Sequence, residues 1–389
     1  MSLLENARTE ARSRELILDL LAEQAQAIFV RAPMLDPLCP QTSDADVLAF
    51  GPVDCLQPLR LNLPARPGTL PIDVIWLPAQ MLDDSTEFAA QGLLAHRLLT
   101  STPLFERGFD ASAWQASVRA ALPHGQHRRL QGFMQMGFLA VREIGITWDC
   151  PPLALFWLHT ASAAAICALH ELAGSLCPNA YTRPFDSLRA LPPALRGDWE
   201  ARLSRALHLD VNPLDLIEPL QKLHASITAR YPEPVWPREM RNTTRCEYRY
   251  FLDGAELSWR IAVAREMIAG GDLAQAVYYL RFWAYSLARA PMVRACAEQG
   301  EDVSYVRPER AMGRALRQLC PDILEMLNDI LGAPQIDVEL VRASLREVQA
   351  LRETVMAGTV ALELPEGAIP AWAPAVKKPL ATARPETSA

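Results

Sequence analysis

Lysine is nearly absent from this chain of 389 residues: Lys222, Lys377 and Lys378 are the only three, so almost all positive charge is arginine. That bias reads as genome composition rather than function. A basic excess is missing as well. Against 45 acidic side chains stand 38 basic ones, a formal net charge of -7. A broad nucleic-acid surface needs surplus cations to neutralise phosphates, so nucleic acid is not the expected partner. Cysteine pairs are missing too: Cys39, Cys55, Cys150, Cys167, Cys177, Cys246, Cys296 and Cys320 are scattered without a C-x-x-C. Zinc-ligand spacing is therefore absent, and the thiols read as reduced, in a cytoplasmic protein. Met1 to Arg14 is polar and charged, unlike a secretory signal, and no run is expected to cross a membrane. Neither a Gly-rich P-loop nor G-x-G-x-x-G occurs, which removes Walker-type and dinucleotide-binding readings. No serine or cysteine stands in a recognisable nucleophile motif.

What is present is a set of acids at the start of strands. Thr42-Ser43-Asp44-Ala45-Asp46-Val47-Leu48-Ala49-Phe50 and Leu70-Pro71-Ile72-Asp73-Val74-Ile75-Trp76-Leu77 both run into short β-branched and aromatic stretches, the pattern of buried strands. Side chains at i and i+2 of a strand share a face, which puts Asp44 beside Asp46. If the second stretch pairs next to the first, Asp73 joins them. Carboxylates held close repel unless a cation lies between them. Magnesium takes carboxylate oxygens and often keeps substrate phosphates as further ligands, so three such acids suit phosphoryl or nucleotidyl transfer. The plain alternative is a turn with solvated or capping carboxylates.

Ser43-Asp44-Ala45-Asp46 before an apolar strand, followed by Ile72-Asp73-Val74, resembles the nucleotidyltransferase superfamily related to DNA polymerase β. Its small-molecule branch, the aminoglycoside (kanamycin-type) nucleotidyltransferases, carries a helical carboxy-terminal domain. The resemblance covers about the first hundred residues. It implies a metal role for Asp44, Asp46 and Asp73, with Asp73 also the catalytic base. It implies Mg²⁺ and an NTP, ATP by expectation, as co-substrate, with Arg31 and Ser43 at the nucleotide. It further implies a small-molecule acceptor, a helical domain walling its site, and a homodimer. One departure is plain. Where the family has a Gly-Ser pair after the preceding strand, this chain reads Arg31-Ala32-Pro33 after Ala27-Ile28-Phe29-Val30, and proline has no N–H for a phosphate. A catalytically inactive relative that binds a ligand or partner is therefore the alternative.

Along the chain, apolar spacing from about Glu5 to Phe29 predicts an amphipathic helix leading into the first strand, and Met34 to Gln41 a loop. Leu59-Arg60-Leu61-Asn62-Leu63 alternates as a middle strand, and the Ile72 strand ends at Pro78. A helix from about Asp84 to Leu99, capped by Asp83 or Asp84, comes next. From Ala111 the pattern turns helical. Helices are expected at Leu130 to Ile144, Ala154 to Leu172 (apolar nearly all round, so central), Trp199 to Leu207 and Leu214 to Tyr231. Others are expected at Leu252 to Ala269, Leu273 to Ala290, Glu309 to Leu331 and Val338 to Met356. Gly270-Gly271-Asp272 reads as a helix stop followed by an N-cap. The fold class is thus α+β: a small mixed sheet over 1–110, an all-α bundle over 111–360, and a Pro- and Ala-rich disordered tail over 361–389.

Other constellations are weaker. Arg119 with His124 and Arg202 with His208 have ribonuclease-like Arg-x4-His and Arg-x5-His spacings, which chance often supplies. His124 to Arg129 reads as a solvated loop, His159 and His170 as core histidines. Tyr278, Tyr279, Phe282, Trp283 and Tyr285 read as core aromatics. Arg245, Arg249 and Arg260 read as surface ion pairs rather than phosphate ligands.

Overall fold

The computed structural model describes residues 3–31, 44–52, 59–63, 69–147, 151–177, 180–230, 252–298, 321–332 and 338–361. Helix α1, Leu3–Leu21, precedes strand β1, Ala27–Arg31. The helix is thus shorter than its apolar spacing predicts, because Ala27 to Val30 is fully buried and β-branched or aromatic at its centre, which favours extended backbone. Strands β2 (Ala45–Gly51), β3 (Leu59–Leu63) and β4 (Ile72–Pro78) come next, and β5, Thr102–Glu106, lies after two helices. They form one sheet of order β3-β4-β2-β1-β5. The pair β2–β4 is parallel and every other pair antiparallel. The alternating β3 is therefore an edge strand. Pro103 in β5 is tolerated for the same reason, since an edge strand leaves one side of its ladder open.

The continuous helix expected from Asp84 to Leu99 is two helices, α2 (Ser85–Ala89) and α3 (Leu93–Leu99). Asp84 is the N-cap, accepting from the N–H groups of Thr86 and Glu87. The break falls at Gly92, whose φ of 50° and ψ of -123° suit glycine and no other residue. It turns α3 so that its buried Leu98 and Leu99 face the sheet while Arg97 reaches the strand ends.

Helix α4, Ala111–Thr147, is far longer than expected and carries Pro123 inside it. It absorbs the His124 to Arg129 stretch, which is therefore helical rather than a loop. Beyond it run α5 (Pro151–Leu172), α6 (Pro184–Arg189), α7 (Pro193–Arg196), α8 (Trp199–Ala206) and α9 (Ile217–Arg230). Then come α10 (Gly254–Ala269), α11 (Leu273–Glu298), α12 (Pro321–Leu331) and α13 (Val338–Ala361). The α10–α11 hairpin turns through Gly271 at φ 83°, as the Gly-Gly-Asp pattern requires. The expected loop over 34–41 lies outside the described residues, as does the first part of the helix expected from Glu309; of the tail expected over 361–389, Ala361 ends α13 and the rest lies outside them.

One face of the sheet, with Phe29, Leu48 and Phe50, packs on Phe88, Leu98, Trp114 and Val118. The other face, with Ile28, Val47 and Val74, packs on Ile17 and Leu21 of α1. A third core joins the helices around α5. The fold class is therefore α+β, a small mixed sheet with many helices, as expected. Leu153–Leu172 is long and apolar enough to cross a membrane by length and composition, which corrects the expectation of no such run, but 89% of that window is buried inside the protein. Its apolar circumference is that of a central helix, as expected.

Candidate functional site

The register of the sheet draws three charged side chains into a row. Arg31 on β1 pairs with Asp46 on β2, and Asp46 pairs with Asp73 on β4. Paired residues on neighbouring strands project from the same face. Here that face is the one covered by α2, α3 and α4, because Phe29 and Leu48, two residues along from Arg31 and Asp46, pack there. Asp44 lies two residues before Asp46, at the mouth of β2. Asp46 and Asp73 are 8% and 7% exposed and Arg31 only 1%.

Arginines from three elements meet these acids. Arg31 Nη1 lies 3.6 Å from Asp46 Oδ2. Arg97, in the last turn of α3, bridges the pair: Nη2 is 3.5 Å from Asp46 Oδ1 and Nη1 3.3 Å from Asp73 Oδ2. Arg260 on α10 donates from Nη2 to Asp44 Oδ2 at 2.9 Å, from Nη1 to Tyr279 Oη at 3.2 Å, and from Nε to Glu256. Its guanidinium also sits 4.5 Å from the centre of the Trp283 ring. The helical part of the chain thus reaches into the acid cluster.

The electrostatics follow from this arrangement. Burial works to raise the Asp44 carboxyl, but the Arg260 charge and hydrogen bond outweigh it and hold the group at about 2. Asp46 goes the other way. Burial lifts its carboxyl, and the repulsion of Asp44 and Asp73 adds to that against the pull of Arg97 and Arg31. Asp46 therefore senses both other acids.

Carboxylates are hard oxygen donors of the kind magnesium takes. Among the described residues no three carboxylate, imidazole or thiol groups are arranged to hold a metal ion. A guanidinium already bridges Asp46 and Asp73, so a cation does occupy the place between them.

Each sequence-derived residue can now be placed. Asp44, Asp46 and Asp73 come together. Arg31 is buried against Asp46, one row inward from the strand mouth, rather than presented to solvent. Ser43, Arg245 and Arg249 lie outside the described residues. Arg260, expected as a surface ion pair, is buried and belongs to the site. Arg97, Glu256, Tyr279 and Trp283 were not foreseen. The Glu256–Arg260 spacing of i,i+4 is a visible ion-pair signal, whereas nothing local marks Arg97.

The remaining constellations resolve as structure. His159 stacks on Tyr278 with ring centroids 4.4 Å apart, and burial lowers its pKa to about 3. His170 shares hydrogen bonds with Ser175 Oγ and the Ser187 carbonyl, each at 2.8 Å. Tyr278, Tyr279, Trp283 and Tyr285 are core, as expected. Arg119 donates to the Leu99 carbonyl, while Arg202 pairs with Glu347 and stacks on Trp199. His208 sits at φ 53° beside Ser344. Arg128 pairs with Glu87, and Arg129 is buried against Glu171. Cys167 and Cys177 are free thiols.

No family model matches the chain, and no curated protein matches it. Among solved structures it is similar to a nucleotidyltransferase-like protein from Exiguobacterium sibiricum, at 15% identity over 83% of this chain and 91% of that one, with a TM-score of 0.25. The geometry of the site, rather than that likeness, points to a function.

Proposed function

We propose that this protein is a nucleotidyltransferase that moves a nucleotidyl group from an NTP, taken to be ATP, to a hydroxyl of a small-molecule acceptor. The observation that carries this reading is the in-register pair Asp46–Asp73 on adjacent parallel strands, with Asp44 two residues before Asp46. Asp44, Asp46 and Asp73 would hold Mg²⁺. When bound, that ion supplies charge neutralisation on the phosphates. Asp73, on its own strand, is the group assigned to accept the proton of the acceptor hydroxyl. Arg31 and Ser43 are assigned to the nucleotide, Arg31 acting through the charge it places behind Asp46. The helical part walls the acceptor side, with Arg260 fixing Asp44 from there. A homodimer and a cytoplasmic setting belong to the same reading.

Asp46→Asn is expected to reduce NTP-dependent transfer to background while leaving the circular dichroism spectrum unchanged. An undiminished rate would overturn the assignment. A second reading, a catalytically inactive nucleotidyltransferase-like protein that binds a ligand or partner, is favoured by one observation: a guanidinium meets every member of the acid trio. Calorimetric titration with Mg²⁺ and each NTP separates the two, since an inactive relative gives no metal-dependent heat.

A further inference from the structure

The cysteines show no pairing in the sequence, yet the fold brings two thiols into contact. Cys167 lies on α5 and Cys177 just beyond its end, and their Sγ atoms are 4.0 Å apart. Gly174, at φ 64°, turns the chain back after the helix, and the Ser175 N–H bonds the His170 carbonyl. Cys167, His170 and Glu171 share one face of α5 by their spacing, and Cys177 comes down on that face. Both cysteines are buried. Two touching thiols in an apolar core are small fillers, but this pair has polar neighbours. His170 Nδ1 engages Ser175 Oγ and its Nε2 engages the Ser187 carbonyl. Burial works to raise the Cys177 thiol, but hydrogen bonds with Cys167, His170 and Ser187 and the His170 charge more than reverse it, holding it well below the ordinary thiol value. Burial raises Cys167, and there Cys177 adds to the rise. One sulfur of the pair is thus suited to attack and the other to follow.

We infer that Cys167 and Cys177 are a redox pair that closes to a disulfide when hydrogen peroxide reaches them, and that the closure is felt at His96. Neither step depends on transferase activity. The Cys177 thiolate attacks one peroxide oxygen, the O–O bond breaks, and the departing hydroxide takes a proton to become water. Cys177 is then a sulfenic acid. The Cys167 sulfur attacks the Cys177 sulfur, the S–O bond breaks, and the Cys167 proton leaves with the hydroxyl as a second water. Two thiols are oxidised by two electrons and one peroxide is reduced to two waters. Peroxide is small enough to enter where bulkier oxidants are shut out, past a loop in which Gly174 is exposed and Ser175 and Leu176 are half-buried. The sulfurs must approach from 4.0 Å to about 2 Å. Helix α5 is locked in the central core, so the loop that carries Cys177 is the part that gives. The Cys177 N–H holds His96 Nδ1 at 3.0 Å. His96 in turn precedes Arg97, which meets Asp46 and Asp73.

The test reads the bond in the wild-type chain, so it does not hang on a variant that folds. Reduced full-length protein is treated with hydrogen peroxide in its native state, the excess is removed, and remaining thiols are alkylated under denaturing conditions. A protease that cuts after glutamate separates the two cysteines at Glu171, and fragmentation of the linked peptides tells Cys167 from Cys150 on the same piece. Both thiols are expected to be lost to alkylation together, in a Cys167–Cys177 cross-link that dithiothreitol reverses. Cys167 and Cys177 still fully alkylated, a sulfinic acid in place of the bond, or Cys177 joined to another cysteine overturns the pair. Nitrogen–proton correlation of the histidine rings reads the second step. Oxidation should shift the His96 ring nitrogens and leave those of His224, which bonds the Leu252 carbonyl, in place. The shift should be absent in peroxide-treated Cys177→Ala or Cys167→Ala, whichever melts as a folded protein. A cross-linked chain with unmoved His96 signals overturns the link to the acid cluster.

Discussion

Glu171 is the clearest case of one residue fixing a neighbourhood. It sits 2% exposed on α5, receives Arg129 Nε and Nη2 at 2.9 Å each, and receives His96 Nε2 at 2.7 Å. His96 Nδ1 in turn accepts the Cys177 N–H at 3.0 Å, which fixes the tautomer and leaves Nε2 as the donor. His96 precedes Arg97, so this network anchors the helix that carries Arg97 to Asp46 and Asp73. Glu171→Gln removes a buried charge from a buried guanidinium and is expected to cost about 3 kcal/mol in chemical denaturation. The pH dependence has a definite sign. Burial pushes the Glu171 carboxyl up, but the hydrogen bonds from His96 and Arg129, with the Arg129 charge, more than reverse it, leaving it below the ordinary glutamate value. A depressed carboxyl contributes stability that is complete above the unfolded-state value and is lost as pH falls through the folded one. Wild type should therefore lose stability in acid more steeply than Glu171→Gln, as urea midpoints between about pH 3 and 6 would record (a window set around ordinary glutamate values).

At the level of elements, two glycines decide how α2, α3 and α4 meet. Gly92 gives the chain the backbone angle that breaks one helix into two, and a side chain there meets only the Phe133 ring at ordinary contact distance. Gly92→Ala should therefore cost roughly 1–3 kcal/mol through backbone strain rather than crowding. It should also shift the α3 amides, and Arg97 with them, in a nitrogen–proton correlation spectrum. Gly125 is different. A Cβ there would lie 2.7 Å from the Ala89 carbonyl oxygen and 2.7 Å from Arg129 Nη1, so α2 and α4 touch backbone to backbone. Gly125→Ala is expected to destabilise by about 1–3 kcal/mol through overpacking, read as a lowered melting temperature. Sequence periodicity joined α2 to α3 because the apolar spacing runs on past the break; Gly92 was the visible signal against it.

For the whole molecule, the sheet and the helices share a core. Trp114 and Val118 belong to the first turns of α4, yet Trp114 lies 5.9 Å from Phe29, 5.5 Å from Phe50 and 5.1 Å from Phe88, ring centre to ring centre. A fragment ending at residue 110 would expose that face of the sheet. It is expected to show no cooperative melt by circular dichroism, whereas one that also includes α4 should melt more cooperatively. The acid cluster shows the same dependence, because Arg260 comes from α10 and lies 216 positions from its partner Asp44.

The sequence by itself determined the strands that carry the acids, the bundle of helices after Ala111, the central place of the helix up to Leu172 and the spacing that puts Asp44 beside Asp46. Those follow from local periodicity, which the chain states residue by residue. Only the tertiary structure decided that β4 pairs parallel to β2 in the register that sets Asp73 level with Asp46, since pairing depends on strands distant in the chain. It alone decided which cations answer the three carboxylates. Nothing local marks Arg97, and the spacing of Arg260 from Glu256 marks an ion pair but not the reach to Asp44; both roles arise because a buried negative charge draws in whatever positive charge the packing brings within reach.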